Sequence, residues 1–250
     1  ISESTKRDVM NYYQVPEERI RVIYQPVNEL YYKSLSHDEA CQLLRESDMR
    51  IPQDYMLYVG SVNARKNLMG VVQAMAQLPA SCRLPLVVIG GGREYKQQVL
   101  KEIERLGLQD YIIWQKCTDH HLLHALYTCA RLFVYPSFYE GFGLPVVEAV
   151  LSGCPVLTSN VSSLPEAGGP DTLQAVPSSI DDIAQKMEQG LCDEALRTQM
   201  IEGARNYAIS HFSPEPLFLQ EKAVNIARKM GKPVVGTFHL YTQNILNEIP

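Results

Sequence analysis

The sequence predicts an α/β protein built on a doubly wound parallel sheet. From Tyr55 to Asn160, strand-like apolar runs alternate with helix-like segments. The runs, among them YMLYVG, LPLVVIG and ARLFVYP, are continuously apolar and do not alternate with polar residues. That pattern belongs to strands buried on both faces, as in a parallel sheet covered by helices. With 250 residues, 46% hydrophobic, 20% charged, 15 Gly and 15 Pro, the composition excludes collagen-like, low-complexity and disordered chains. The length fits one large domain or a domain with appendages.

In chain order, residues 4–14 read as a helix with Ser4 as N-cap, closed by Val15-Pro16. Arg19 to Val27, RIRVIYQPV, alternates polar and apolar residues and predicts a short strand. A polar helix follows over 36–48. The regular part begins with strand 55–60, helix 67–78, strand 84–90, helix 93–106 and strand 111–115. It continues with helix 119–129, strand 130–136, helix 144–152 and strand 154–160. Helices near 179–191, 193–209 and 215–229 complete the pattern. No fixed-period repeat is present.

A doubly wound sheet places its ligand crevice outside the carboxyl ends of its strands, so the strand-to-helix loops should carry the chemistry. Gly60-Ser61-Val62-Asn63-Ala64-Arg65-Lys66-Asn67 follows the first strand and sets two cations before a helix N-terminus, a cradle for a diphosphate. An isolated Arg-Lys pair also reads as a solvated turn. Gly90-Gly91-Gly92 ends the next strand and leaves the crevice floor without side chains. No G-x-G-x-x-G stands in the turn after 55–60, which argues against a nicotinamide enzyme. The third loop runs from Pro136 to Ala149, with a glycine-bracketed turn and Pro145 in the first turn of a helix. The amides of Gly141, Phe142, Gly143 and Leu144 should point at the ligand. Glu140 stands before the turn and Glu148 about one helical turn inside, two carboxylates able to accept hydrogen bonds from sugar and ribose hydroxyls.

The E-x7-E pair Glu140 and Glu148, within YPSFYEGFGLPVVEAVLSGCPVLTSNVSSLPEAGG, resembles the donor-binding half of family 4 retaining glycosyltransferases of the GT-B fold. YVGSVNARKNLMGVVQAM resembles that family's diphosphate loop, and RIRVIYQPVN the stretch joining its two Rossmann-like domains. The resemblance covers residues 1–228. It implies a last N-domain helix and linker over 1–52, a Rossmann-like nucleotide-sugar domain over 53–210, and a C-terminal helix with an extra strand over 211–250. It implies that Lys66 and Arg65 bind the donor's diphosphate, that Glu140 contacts the sugar near the reacting carbon, and that Glu148 holds the ribose. Gly60, Ser61, Gly90, Gly91 and the amides of 141–144 would line the sugar and phosphates. Gln115, Lys116 and Cys117 would line the base pocket through their backbone. Ser61 departs from the pattern, since many members carry Arg there. The resemblance further implies transfer of a mannose- or glucose-type hexose to a glycan or lipid-linked acceptor, without a metal or other cofactor. It places the protein in the cytoplasm, peripheral at the inner membrane face in the longer enzyme. The acceptor domain is expected to be missing, so the chain alone would bind nucleotide without transferring sugar. The alternatives are a nucleotide-binding or interaction module, and an epimerase or phosphorylase of the same fold; for the last two neither titratable acid/base groups nor a pyridoxal lysine is identified.

A net charge of -5 gives no global footprint for nucleic acid or an anionic bilayer, and the longest apolar stretches are too short or interrupted to span a membrane. No signal peptide is recognised. Cys41, Cys82, Cys117, Cys129, Cys154 and Cys192 form no C-x-x-C pair and read as reduced structural thiols. His120, His121 and His124 have metal-compatible helical spacing, but Asp119 reads as an N-cap and no other ligand stands nearby, so a polar helix start is expected. In the tail, Pro233 to Tyr241 reads as a buried strand resembling an acceptor-domain segment, with His239 facing the donor sugar. Together with the start at ISESTKRDV and the end at NEIP, this predicts a fragment or a recombined or permuted arrangement, against a C-terminal extension that is similar only by accident.

Overall fold

The computed structural model describes residues 1–213; the expected helix 215–229, the strand 233–241 and His239 lie outside the described residues. Helix α1 spans Glu3–Tyr13 and α2 spans His37–Glu46. Then follow β1 (Met56–Val59), α3 (Leu68–Gln77), β2 (Leu86–Ile89), α4 (Glu94–Arg105), β3 (Ile112–Gln115), α5 (His120–Cys129), β4 (Leu132–Tyr135), α6 (Leu144–Leu151) and β5 (Val156–Ser159). Short α7 (Leu164–Gly168), β6 (Leu173–Ala175), α8 (Ile180–Cys192) and α9 (Glu194–Phe212) complete them.

All pairings are parallel, and the six-stranded sheet has the order β3-β2-β1-β4-β5-β6. The chain therefore winds outward from β1 in one direction and from β4 in the other. The reversal between β1 and β4 opens a crevice at their carboxyl ends. Both faces are covered, which explains the unbroken apolar runs. Along β1, Leu57 joins Phe133, Tyr135 and Val156 beneath α5 and α6, whereas Met56 and Tyr58 join Val88, Leu132 and Val134 beneath α3 and α8.

Three local expectations need correction. The N-cap of α1 is Ser2, whose hydroxyl accepts the Thr5 amide at 3.0 Å, and Ser4 lies inside the helix. Residues 19–27 form no strand, because both edges of the sheet, β3 and β6, lie elsewhere and leave this segment no partner. Its alternation serves packing instead: Tyr24 packs tilted against Phe142 and edge-on to Phe212, and its hydroxyl donates to Glu166 at 2.7 Å. Cys82 and Cys192 are bonded as a disulfide with Cα atoms 6.3 Å apart, so they are not reduced thiols. Their elements, the α3–β2 connection and the end of α8, meet only through the packing of α3 on α8, a proximity that spacing 110 residues apart cannot reveal. Strand β6 and helix α7 were not anticipated, both being short.

Candidate functional site

The loops after β1 and β4 meet at the switch point. Gly60 donates to Ile89 O at 2.9 Å and Val62 to Gly91 O at 2.8 Å, so the carboxyl ends of β1 and β2 run on in contact. Gly90 has no alternative: a Cβ there would lie 1.9 Å from the Gly60 carbonyl oxygen. Gly60 serves a different purpose, since a Cβ on it would stand 3.1 Å from Cδ of Lys66, whose side chain lies across it.

Lys66 and Arg65 converge on Glu140. Lys66 Nζ donates to Glu140 Oε1 at 3.0 Å, and Arg65 Nη1 lies 2.6 Å from Glu140 Oε2. The Tyr135 hydroxyl donates to the same Oε1 at 3.0 Å and also contacts Lys66 Nζ. Burial works against the charged form of Glu140, but the hydrogen bonds and charges of Arg65 and Lys66 outweigh it, and the carboxyl is held below its usual range. Burial, reinforced by Glu140, pushes the Tyr135 hydroxyl upward, so it stays a donor. With two cations and one carboxylate this end of the crevice is net positive. Arg65 also donates to the Tyr139 carbonyl, and Phe138 N to the Arg65 carbonyl at 2.8 Å, stitching the two loops together.

At the start of α3 one of the expected open amides, that of Gly70, is taken up by a cap. Asn67, at φ 57°, accepts the Gly70 amide at 3.2 Å and donates to the carbonyls of Pro136 and Pro177. The helix thus caps itself in part, and this loop adds the two cations Arg65 and Lys66 beside its start. At α6 the expectation fits the geometry: among the described residues, the amides of Gly141, Phe142, Gly143 and Leu144 have no hydrogen-bond partner, and the N-cap is Gly143 with no side-chain bond. Two serines hold this loop in place. Ser162, at φ 54°, accepts the Glu140 amide at 3.1 Å, and Ser163 donates to the carbonyls of Glu140 and Phe142 at 2.9 and 2.8 Å.

Glu148 lies apart from these cations, on α6 against aromatic rings. The Tyr127 hydroxyl donates to it at 3.2 Å. Burial raises its carboxyl to about 7 despite that bond. Tyr31, 6.1 Å from Tyr127 between ring centroids, is pushed up by burial and then by Glu148 and Cys117. Just after β3, Lys116 is exposed and Cys117 half-buried. Asp119 caps α5, accepting the His121 amide at 2.7 Å; His120 contacts the Tyr31 hydroxyl and His124 is buried edge-on to the Tyr31 ring. These histidines are used in packing and in the helix start. Ser61 is exposed, and its hydroxyl accepts from the Asn63 amide group at 2.9 Å.

The sequence reading missed Tyr135, Tyr127, Tyr31, Asn67, Ser162 and Ser163. Only the position of Tyr135 at a strand's carboxyl end signalled its involvement; the others depend on contacts between distant segments.

A family profile described as "Glycosyl transferases group 1" matches residues 45–207. O-antigen chain mannosyltransferase B of Escherichia coli is 36% identical over 200 residues, covering 79% of this chain and 52% of that protein. Serotype-specific mannosyltransferase WbdA of Escherichia coli is 34% identical over 205 residues, covering 80% of this chain and 25% of that protein. The chain thus spans about half the length of the first relative and a quarter of the second. A solved glycosyltransferase from Rickettsia africae superposes with TM-score 0.79 at 21% identity, covering 93% of this chain and 62% of that one, a likeness of fold.

Proposed function

Since this chain belongs to the glycosyl transferases group 1 family, we propose that it is the donor-binding half of a retaining hexosyltransferase that takes a mannose- or glucose-type sugar from a nucleoside diphosphate. The acceptor is a glycan or lipid-linked hydroxyl. The observation that carries this reading is the convergence of Arg65, Lys66 and Glu140 at the switch point, beside four amides that have no partner.

Lys66 and Arg65 meet the charge that grows on the departing diphosphate, a preorganised arrangement that acts most strongly in the transition state. This supports transfer without a metal, since protein cations and amides supply the positive charge. Glu140, kept ionised by the same cations, accepts hydrogen bonds from sugar hydroxyls, with the amides of 141–144 on the sugar and phosphate oxygens. Glu148 accepts from the ribose, and Lys116 and Cys117 border the base through their backbone. Gly60, Ser61, Gly90 and Gly91 form the floor. Residues 53–210 are the donor domain, and residues 1–52 carry the last helix of the acceptor domain and the linker. The mannosyltransferase names of the relatives support mannose as the first sugar to test. No helix among the described residues is long and apolar enough to cross a membrane.

The test is calorimetry with GDP, UDP and their mannose and glucose conjugates, with and without EDTA. One nucleotide diphosphate should bind, unaffected by EDTA, and Lys66→Met should weaken it. No binding of any of them defeats the reading, and binding that requires a divalent ion defeats its metal-free part.

A further inference from the structure

At the opposite end of the sheet, three side chains from two helices bring soft donor atoms together. His37 and Cys41 are one turn apart on α2, and Cys129 ends α5 just before β4. Cys41 Sγ lies 3.3 Å from Cys129 Sγ and 3.4 Å from His37 Nε2, and all three donor atoms fall within 4.8 Å of one another. A tetrahedral zinc ion with Zn–S of about 2.3 Å and Zn–N of about 2.0–2.1 Å separates its ligand atoms by about 3.6–3.8 Å. The two contacts of Cys41 fall short of that spacing by a few tenths of an ångström, and the His37–Cys129 separation, within 4.8 Å, closes onto it by about an ångström or less. Cys129 is buried, Cys41 half-buried and His37 exposed, so a route from solvent exists on the histidine side. A cavity of about 260 Å³ opens on the same place, lined by His37, Cys129 and Asp54. It provides room for a water as fourth ligand.

We propose that His37, Cys41 and Cys129 form a binding site for a thiophilic divalent cation, zinc in the first instance, that clips α2 to α5. Two thiolates and a neutral imidazole around a dication give a neutral group, which suits a site bordering the apolar cluster that holds Ala40, Leu44 and Cys129. Binding replaces two S–H bonds by two S–Zn bonds and releases both protons to solvent, so affinity rises with pH. Imidazole and thiolate together favour zinc over magnesium or calcium. The site lies at the amino ends of the strands, away from Lys66 and Glu140 at the carboxyl ends, and its role is structural.

The test is titration of the whole chain, with the Cys82–Cys192 disulfide intact and the remaining cysteines as free thiols, with Co²⁺, read by visible absorption. Tetrahedral d–d and thiolate charge-transfer bands should saturate at one equivalent and vanish on adding Zn²⁺. Cys41→Ser should abolish them and His37→Gln should weaken binding at least tenfold, while His121→Gln on α5 should leave the titration unchanged. Zn²⁺ should also slow alkylation of Cys41. Absence of the bands, their survival in Cys41→Ser, or an alkylation rate indifferent to zinc overturns the proposal and leaves a packed thiol pair.

Discussion

Replacing Glu148 by Gln should make the protein more stable at alkaline pH while weakening nucleotide binding. The folded carboxyl titrates at about 7 against 4.5 for an ordinary glutamate, because burial opposes its charge. A raised folded pKa means that the native state binds more protons than the unfolded chain between these values, so stability is full below about pH 4.5 and falls as pH rises towards 7. At 1.36 kcal/mol per unit, the ionised residue costs about 3 kcal/mol once both states are deprotonated. Gln keeps an acceptor for the Tyr127 hydroxyl but carries no charge. The variant should therefore match wild type near about pH 4.5 and exceed it by about 2–3 kcal/mol near about pH 8, or roughly 4–12 °C in Tm for a chain of this size. Urea unfolding of both proteins across this range measures the difference, and titrations elsewhere cancel. Parallel stability curves, or a less stable variant at the alkaline end, refute the buried-charge argument. Calorimetry on the same samples tests the other half. Loss of a charged acceptor should cost about 1.5–3 kcal/mol of nucleotide affinity, at least tenfold, and unchanged binding refutes a ribose contact.

Lys66→Met should weaken a nucleoside diphosphate about ten- to a hundredfold but leave the free nucleoside unaffected, as read by calorimetry with both ligands. Tyr135→Phe removes one of the donors to Glu140 Oε1 and should weaken sugar-nucleotide binding a fewfold more than binding of the nucleotide alone, measured in paired titrations. Gly90→Ala puts a methyl against the Gly60 carbonyl and should destabilise the fold by about 3 kcal/mol or more in urea unfolding, since backbone must move on both strands. Ser163→Ala leaves the carbonyls of Glu140 and Phe142 without their buried donor and should cost about 1–3 kcal/mol of stability, with a matching drop in donor affinity.

The sheet was legible because its strands are buried on both faces: Leu57 and Met56 point to opposite cores, and both must be apolar. Gly60, Arg65, Lys66, Glu140 and Glu148 were legible for a related reason, since each stands at a fixed offset from a strand end. Pairings across the chain were not. Cys82 with Cys192, and Cys41 with Cys129, depend on how helices pack, and helix packing leaves no mark in spacing. The segment 19–27 shows the converse failure, because alternation reports a half-buried extended chain whether or not a strand edge is available to pair with it. Asn67 hid its role likewise: a residue at a helix start reads as a cap, but only the fold shows that its amide group also ties down Pro136 and Pro177.

The protonation states around Glu140 restrict what the crevice can recognise. Oε1 already receives Lys66 Nζ and the Tyr135 hydroxyl, and Oε2 receives Arg65. All three partners are donors, so any lone pair left on the carboxylate can take only another donor. A sugar hydroxyl meets that demand and a phosphate oxygen does not. The cations have the opposite property: Arg65 and Lys66 offer further N–H groups that only an acceptor can use, and the unpartnered amides of 141–144 repeat the demand. A ligand that satisfies both must present hydroxyl donors beside anionic acceptors within one crevice, as a sugar joined to a diphosphate does. A bare nucleotide fills only the acceptor half. Under the proposed reading the hexose conjugate should therefore bind more tightly than its nucleoside diphosphate, and Glu140→Gln, whose NH₂ group opposes Arg65 or Lys66, should reduce the two to equal affinity. If the variant still prefers the sugar nucleotide by the wild-type factor, Glu140 does not contact the sugar.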